Sequence, residues 1–340
     1  MALRTGRLSA ALDAIPGVSL GTWPTPLVRL RRLSAALGID LWMKRDECSG
    51  LALGGNKARK LEFVMARAIE AGATTVVTAG PLTSNHTMMT AAAARRLGLD
   101  VHVVLGGTLP THETGNLTLT RHYGAHVHVT PMDTANPSDV DLQASKTLCA
   151  ALVEQTRGFW IPPGASMPES VPGYAACIRE ILAQCGGTFP FDDVVVAYGT
   201  GSTSAGVLAG LVLADAPATV HAVSVSSRAA MERFSAVSPE SLVRAAADLY
   251  RWPMAFEESH ARCAWIRPET EPGYGIPTTG STAALARFAK DEGYLLDPTY
   301  TAKAVASLVE MVGTGVLRRG ARVLFIHTGG LPTTAAAVRQ

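Results

Sequence analysis

Lys44-Arg45-Asp46-Glu47-Cys48-Ser49-Gly50-Leu51-Ala52-Leu53-Gly54-Gly55-Asn56-Lys57-Ala58-Arg59-Lys60-Leu61-Glu62-Phe63 is the stretch on which the reading of this chain turns. It leaves the charged end of a strand expected over residues 39–43 and passes through a glycine-rich bend. It then opens a helix whose apolar positions Leu61, Val64, Met65 and Ile69 recur at helical spacing. Asn56 stands where an N-cap would, so Lys57 falls in the first turn. A helix N-terminus carries partial positive charge and disfavours a further cation. The misfit disappears if Lys57 is bound to an aldehyde as a Schiff base, because a depressed amine pKa helps that bond form. The alternative is a solvated basic helix start, since Arg59 and Lys60 are close by.

Outside this stretch, composition narrows the classes. With 340 residues, 47% hydrophobic and 17% charged, the chain can bury a large core and does not read as disordered. A net charge of +2 without a Lys/Arg-rich run gives no electrostatic case for nucleic acid. No apolar run reaches the roughly 18 residues of a membrane helix. The five cysteines lack paired metal-type spacing and read as reduced thiols, no metal is expected, and the cytoplasm is the expected location.

The segment from Leu53 to Phe63 resembles the lysine motif of the pyridoxal-phosphate lyases that include D-cysteine desulfhydrase and 1-aminocyclopropane-1-carboxylate deaminase, and residues 44–51 resemble the approach to it. The resemblance implies that Lys57 carries pyridoxal 5'-phosphate, with Asn56 beside it. It also implies an α/β fold of type II: two open, mostly parallel twisted sheets with flanking helices and the cofactor in the cleft between domains. Residues 52–165 would form the small domain, and residues 1–51 with 166–340 the large one. Independently, apolar strands expected at 74–78, 101–105, 126–129, 194–197, 220–225 and 323–326 alternate with helix-length segments, as parallel sheets covered on both faces do. A short helix is expected over residues 29–37.

Three further constellations follow. Thr83-Ser84-Asn85-His86 joins a strand to a helix, where free N–H groups suit a carboxylate. Ser84 and Asn85 read equally as ordinary caps. The resemblance implies that Ser84 faces the substrate and Asn85 the phenolic oxygen of the cofactor, with His86 structural. Tyr198-Gly199-Thr200-Gly201-Ser202-Thr203 is a glycine turn opening a helix, suited to a monophosphate. A dinucleotide reading lacks both the third glycine and an acid after the next strand. The resemblance implies that this loop holds the phosphate of the cofactor, which makes Gly199, Thr200, Gly201, Ser202 and Thr203 the expected phosphate ligands. Tyr274, flanked by Gly273 and Gly275, and Tyr300 match the family's active-site tyrosines, and a phenol can move a proton when neighbours lower its pKa. The resemblance implies a neutral hydroxyl at the pyridine nitrogen, for which Thr301 and Thr328 are both candidates.

The ring-opening deaminases carry a glutamate and a leucine where this chain has Thr301 and Thr328, which favours β-elimination from a small β-substituted amino acid to a keto acid and ammonia. L-Cysteate lysis and cyclopropane deamination are the alternatives within the class; a nicotinamide oxidoreductase or a non-catalytic sensor are those outside it. The family's Gln-Ser-Asn-His-x-Arg-Gln reads Thr83-Ser84-Asn85-His86-Thr87-Met88-Met89 here, a loss of polar groups expected to shift specificity. A homodimer is expected by analogy with the family.

Overall fold

The structure is a computed structural model that describes residues 2–113, 115–226, 237–254, 261–266 and 273–337. The chain runs α1 (Ala2–Asp13), β1 (Leu27–Arg29), α2 (Arg31–Leu37), β2 (Asp40–Arg45), α3 (Lys57–Glu70), β3 (Thr75–Pro81), α4 (Asn85–Arg96), β4 (Asp100–Gly106), α5 (Gly115–His122) and β5 (His126–Thr130). It continues with α6 (Asp139–Thr156), β6 (Phe159–Ile161), α7 (Val171–Gln184), β7 (Asp193–Tyr198), α8 (Ser202–Leu213), β8 (Thr219–Ser224), α9 (Pro239–Tyr250) and β9 (Arg262–Ile266). The last elements are α10 (Thr279–Glu292), α11 (Thr301–Gly313), β10 (Arg322–His327) and α12 (Leu331–Ala337).

Two sheets result, in the strand orders β1-β2-β10-β7-β8-β9 and β5-β4-β3-β6. Among the described residues every pairing is parallel except β1 with β2. Valine-rich β7 shows why both faces must be covered. Val194 and Val196 pack with α7 and α8, while Val195 and Ala197 pack on the opposite face with α10 and α11. Helix α8 is apolar nearly all round and all twelve of its residues are buried, as befits a helix in the interior. Residue 29, expected in a helix, lies instead in β1, paired with Trp42. Strands β6 and β9 were not expected; they are short and lie at sheet edges, where burial leaves little pattern.

The register of β2 with β10 sets Arg45 opposite His327, so strands near the two ends of the chain finish side by side. Beyond them Gly55 bridges Gly329, and the Asn56 amide donates to the Thr328 carbonyl at 3.0 Å. Gly54 makes the bend possible: its φ is +78°, and a Cβ there would lie 1.8 Å from the Glu47 carbonyl oxygen.

A buried ion cluster ties this bend to the large sheet. Arg59, 2% exposed, donates to both Asp46 oxygens at 2.9 and 2.8 Å and to both Glu180 oxygens at 2.8 and 2.9 Å. Thr25 and Tyr174 complete Asp46 at 2.8 and 2.5 Å, and Lys44 lies 3.0 Å from Glu180. The solvated basic helix start is thereby overturned, because Arg59 and Lys60 are both buried. Burial alone would raise the Asp46 pKa, but Arg59, Tyr174 and Lys44 together hold it below its ordinary value of 3.8. A depressed carboxylate stabilises the fold above its unfolded pKa and loses that contribution as pH falls through the folded one. Asp46→Ala leaves Arg59 and Lys44 sharing the single carboxylate of Glu180, one buried cation in excess, and should cost about 3–5 kcal/mol. Chemical denaturation at pH 7 measures this; in acid below the ordinary carboxylate range the difference between variant and wild type should shrink.

Candidate active site

The carboxyl ends of both sheets face a cavity of about 690 Å³. Lys57, the first residue of α3, lines it. Burial is the main reason that the Lys57 pKa falls to about 8, and contact with Lys60 partly opposes that fall. Lys60 is buried, lines the same cavity and sits 3.5 Å from the Gly164 carbonyl; burial and then Lys57 push its pKa well below the usual lysine range. The Asn56 side chain does not cap α3. It reaches across to donate to Thr203 Oγ1 at 3.0 Å, joining the lysine turn to the start of α8.

Ser84 is the N-cap of α4, accepting from the His86 and Thr87 amides at 3.2 and 3.3 Å. Its oxygen is occupied as an acceptor, and its hydroxyl proton remains for the cavity that it lines. Asn85 accepts at Oδ1 from Asn116 Nδ2, 2.8 Å away, which leaves the Asn85 amide N–H groups as donors to the cavity. His86 is structural: Thr78 donates to the Ile161 carbonyl, so it accepts from His86 Nε2 at 2.7 Å. Burial and the two lysines keep this imidazole neutral.

At the glycine turn Thr200, Gly201 and Thr203 line the cavity together with Gly199. Ser166 donates to Thr200 Oγ1 at 2.5 Å. Gly201 has φ +102°, and a Cβ there would lie 2.3 Å from the Val237 carbonyl oxygen, so the fold itself requires this glycine. A Cβ on Gly199 would make only an ordinary 3.4 Å contact with Tyr300. Two expected ligands are not on the cavity lining. The Ser202 hydroxyl turns to Ser166 and the Gly164 carbonyl, at 3.3 and 3.5 Å. Thr301 is fully buried and donates to Asp297 Oδ1 at 2.7 Å, whereas Thr328 lines the cavity. Of the two threonines, only Thr328 is on the cavity lining.

Tyr274 and Tyr300 line the cavity with their hydroxyls 2.9 Å apart. The condition under which a phenol moves a proton, a pKa lowered by its neighbours, is not met here. Burial pushes Tyr274 up to about 12 and Tyr300 well above the usual phenol value, so both stay protonated as donors. Met88 and Met89 sit in the core between α3 and α4 and do not line the cavity, so their departure from the family pattern bears on packing and not on substrate. Thr83 does reach the site, through a hydrogen bond with Tyr274.

These residues fit pyridoxal phosphate. The amides of a helix start, the hydroxyls of Thr200 and Thr203, and a buried Lys60 with no acidic partner among the described residues together suit a phosphate. Ser204 Oγ, buried on the same turn and lining the cavity, has no hydrogen-bond partner among the described residues. Lys60, Ser204 and Asn116 were not singled out from sequence. Lys60 could have been, since it stands three residues from Lys57 and shares its helix face.

A family model described as "Pyridoxal-phosphate dependent enzyme" matches residues 18–329, and the chain belongs to that family. Among individual proteins, it is 34% identical over 336 residues to the D-cysteine desulfhydrases of Salmonella choleraesuis (strain SC-B67) and Salmonella typhi, covering 96% of this chain and 97% of each relative. A solved structure titled "Crystal Structure Analysis of the ACC deaminase homologue" superposes with a TM-score of 0.82 at 31% identity, covering 98% of both chains. Maize serine racemase shares the fold alone, with a TM-score of 0.67 at 14% identity over 99% of this chain and 95% of that one. The fold is type II of the pyridoxal-phosphate enzymes, and the protein is pyridoxal-phosphate dependent.

A Lys57 pKa of about 8 sets how the cofactor-free protein takes up added pyridoxal phosphate, because only the neutral amine reacts. The uptake rate, followed by absorbance, should rise about tenfold per pH unit below 8 and level off above it. Borohydride reduction and peptide mapping should then mark Lys57. A label on Lys60 would overturn the assignment.

Proposed function

We propose that this protein is a carbon–sulfur lyase that removes a β-substituent from a small amino acid, releasing a keto acid and ammonia. The observation that carries the reading is the protonation inventory of the cavity: a lysine with a pKa near 8, two protonated phenols and a neutral threonine. Glu154, on the outer wall formed by α6, is the one carboxylate among the described lining residues. Bound pyridoxal phosphate supplies the sink for the electron pair left at the α-carbon.

The residues then divide the work. Lys57, neutral in a substantial fraction near pH 8, takes the α proton. Ser84 donates its free hydroxyl proton to the substrate carboxylate, and the start of α4 adds its partial positive charge. Asn85, held by Asn116, orients the ring oxygen of the cofactor through its amide. The Tyr274–Tyr300 pair offers a proton or hydrogen bond to the departing sulfur. Thr328 presents a neutral hydroxyl to the ring nitrogen, an arrangement that suits loss of a good leaving group more than cleavage of a carbon–carbon bond. Residues 52–165 act as the small domain and residues 1–51 with 166–340 as the large one; the four-stranded and six-stranded sheets support that division. The five free thiols support a reducing, cytoplasmic setting, and the family resemblance supports a homodimer. Among the described residues no helix is long and apolar enough to cross a membrane.

The holoenzyme assayed side by side on D-cysteine, L-cysteate and 1-aminocyclopropane-1-carboxylate should release keto acid fastest from a sulfur substrate. Fast deamination of the cyclopropane substrate would reverse the reaction assignment.

A further inference from the structure

Helix α6 does two jobs. Cys149 and Leu152 pack against Val77, Ala79 and Val104 and so cover one face of the small sheet. The adjoining stripe of Leu142, Ser145, Cys149, Ala150 and Val153 lines the cavity. Their spacing of three, four, one and three residues keeps them on one helix face, and the stripe from Leu142 to Val153 extends about 16 Å along the axis at 1.5 Å per residue. Met132 and Trp160 line the cavity as well. Lys57, Ser84 and Tyr300 line the same continuous cavity. A cysteine side chain, which ends at its sulfur, leaves this wall without a ligand.

The wall is apolar. Burial pushes the Cys149 thiol up to about 11, so at neutral pH it is an uncharged lining group and no nucleophile. Charge on α6 enters the lining at Lys146 and Glu154, both exposed. From this continuity we propose that the preferred substrates are S-alkyl cysteines, the departing alkylthio chain lying along the Leu142–Val153 face of α6. The proposal rests on the β-elimination reading. In the reaction the Cα–H proton goes to the base and a Cα–Cβ double bond forms. The Cβ–S bond breaks with its electron pair on sulfur, which leaves as a thiolate and takes up a proton. The released 2-aminoacrylate adds water, so one S-alkyl cysteine and one water give thiol, pyruvate and ammonia.

The test uses the holoenzyme and the S-methyl, S-ethyl, S-butyl and S-hexyl cysteines in D and L forms, with thiol and pyruvate measured. On the accepted enantiomer kcat/KM should rise by about twofold to fourfold per added methylene, the upper figure corresponding to full burial. Binding is read separately, from the absorbance change of the holoenzyme with 2-aminobutyrate, norleucine and 2-aminooctanoate, which have no leaving group. Their affinities should climb in the same order. Ala150→Trp, at an exposed position on the wall, should lower the ratio of S-hexyl to S-methyl turnover at least tenfold. A flat series in both rate and binding, or a variant that lowers all substrates equally, would overturn the proposal. Turnover of cysteine with a flat series removes the groove and leaves the lyase. A climbing binding series with no elimination from any substrate removes the lyase and keeps the groove.

Discussion

The architecture of the site depends on where Arg59 points. Its guanidinium is gripped by Asp46, just beyond β2, and by Glu180 on α7, and the ring of Trp23 lies 4.1 Å beneath it. At 3.6 residues per turn, Arg59 projects about 200° around α3 from Lys57, whereas Lys60 lies only about 60° from it. Locking Arg59 into the large-sheet side therefore turns both lysines to the other side, into the cavity. The cluster carries two carboxylates against Lys44 and Arg59, so its charges balance and each buried ion is compensated. A surface pair could not hold a helix in one rotation with comparable force.

Two amines on one helix face, at the positive end of that helix and shielded from water, cannot both remain protonated at low cost. Their chemistry is thus built in before any ligand arrives. Burial biases both toward the free amine, the form in which Lys57 can react with an aldehyde. The glycine turn of α8 stands opposite, joined to the lysine turn by the Asn56–Thr203 hydrogen bond at 3.0 Å. The lysine bend, β10 and α8 lie far apart in sequence, so the cavity exists only when both sheets are complete. This is the usual consequence of parallel strands that all deliver their carboxyl ends to one side.

Most of this was legible because the decisive residues have few alternatives. Gly54 and Gly201 both hold positive φ beside a carbonyl oxygen, and short glycine motifs bring such positions to notice. The Val-rich strands showed where the sheets run. What stayed hidden required knowledge of partners distant in sequence. Arg59 and Lys60 look like surface charges until Asp46, Glu180 and Gly164 are seen around them. Ser202 and Thr203 are indistinguishable as neighbouring hydroxyls until helix rotation sends one to Gly164 and the other to the cavity. Thr301 and Thr328 could not be separated for the same reason, since only the Asp297 hydrogen bonds withdraw Thr301. The two tyrosines could each be matched to the site, but neither their mutual contact nor their burial was legible, and burial raises both phenols.

The choice among reactions follows from which groups can give or take a proton. A thiolate leaves readily near neutral pH because an ordinary thiol has a pKa of about 8.5, so the departing group needs a hydrogen-bond donor and not a strong acid. Phenols held protonated by burial are donors of that kind. Opening a carbon ring leaves a carbanion in place of a thiolate, which asks for a more electron-withdrawing ring and hence an acid or a proton at its nitrogen. The residue after Tyr300, where an acid would stand, is a threonine bonded back to its own helix start. At Thr328 the cavity meets a hydroxyl that can share a proton but holds no charge. On the proposed reading the base is equally moderate, a lysine whose pKa near 8 would let it accept the α proton and return it without a strongly basic group in the cavity. A site with a mild base, mild donors and a neutral ring partner has little to offer a poor leaving group and enough to release a thiolate.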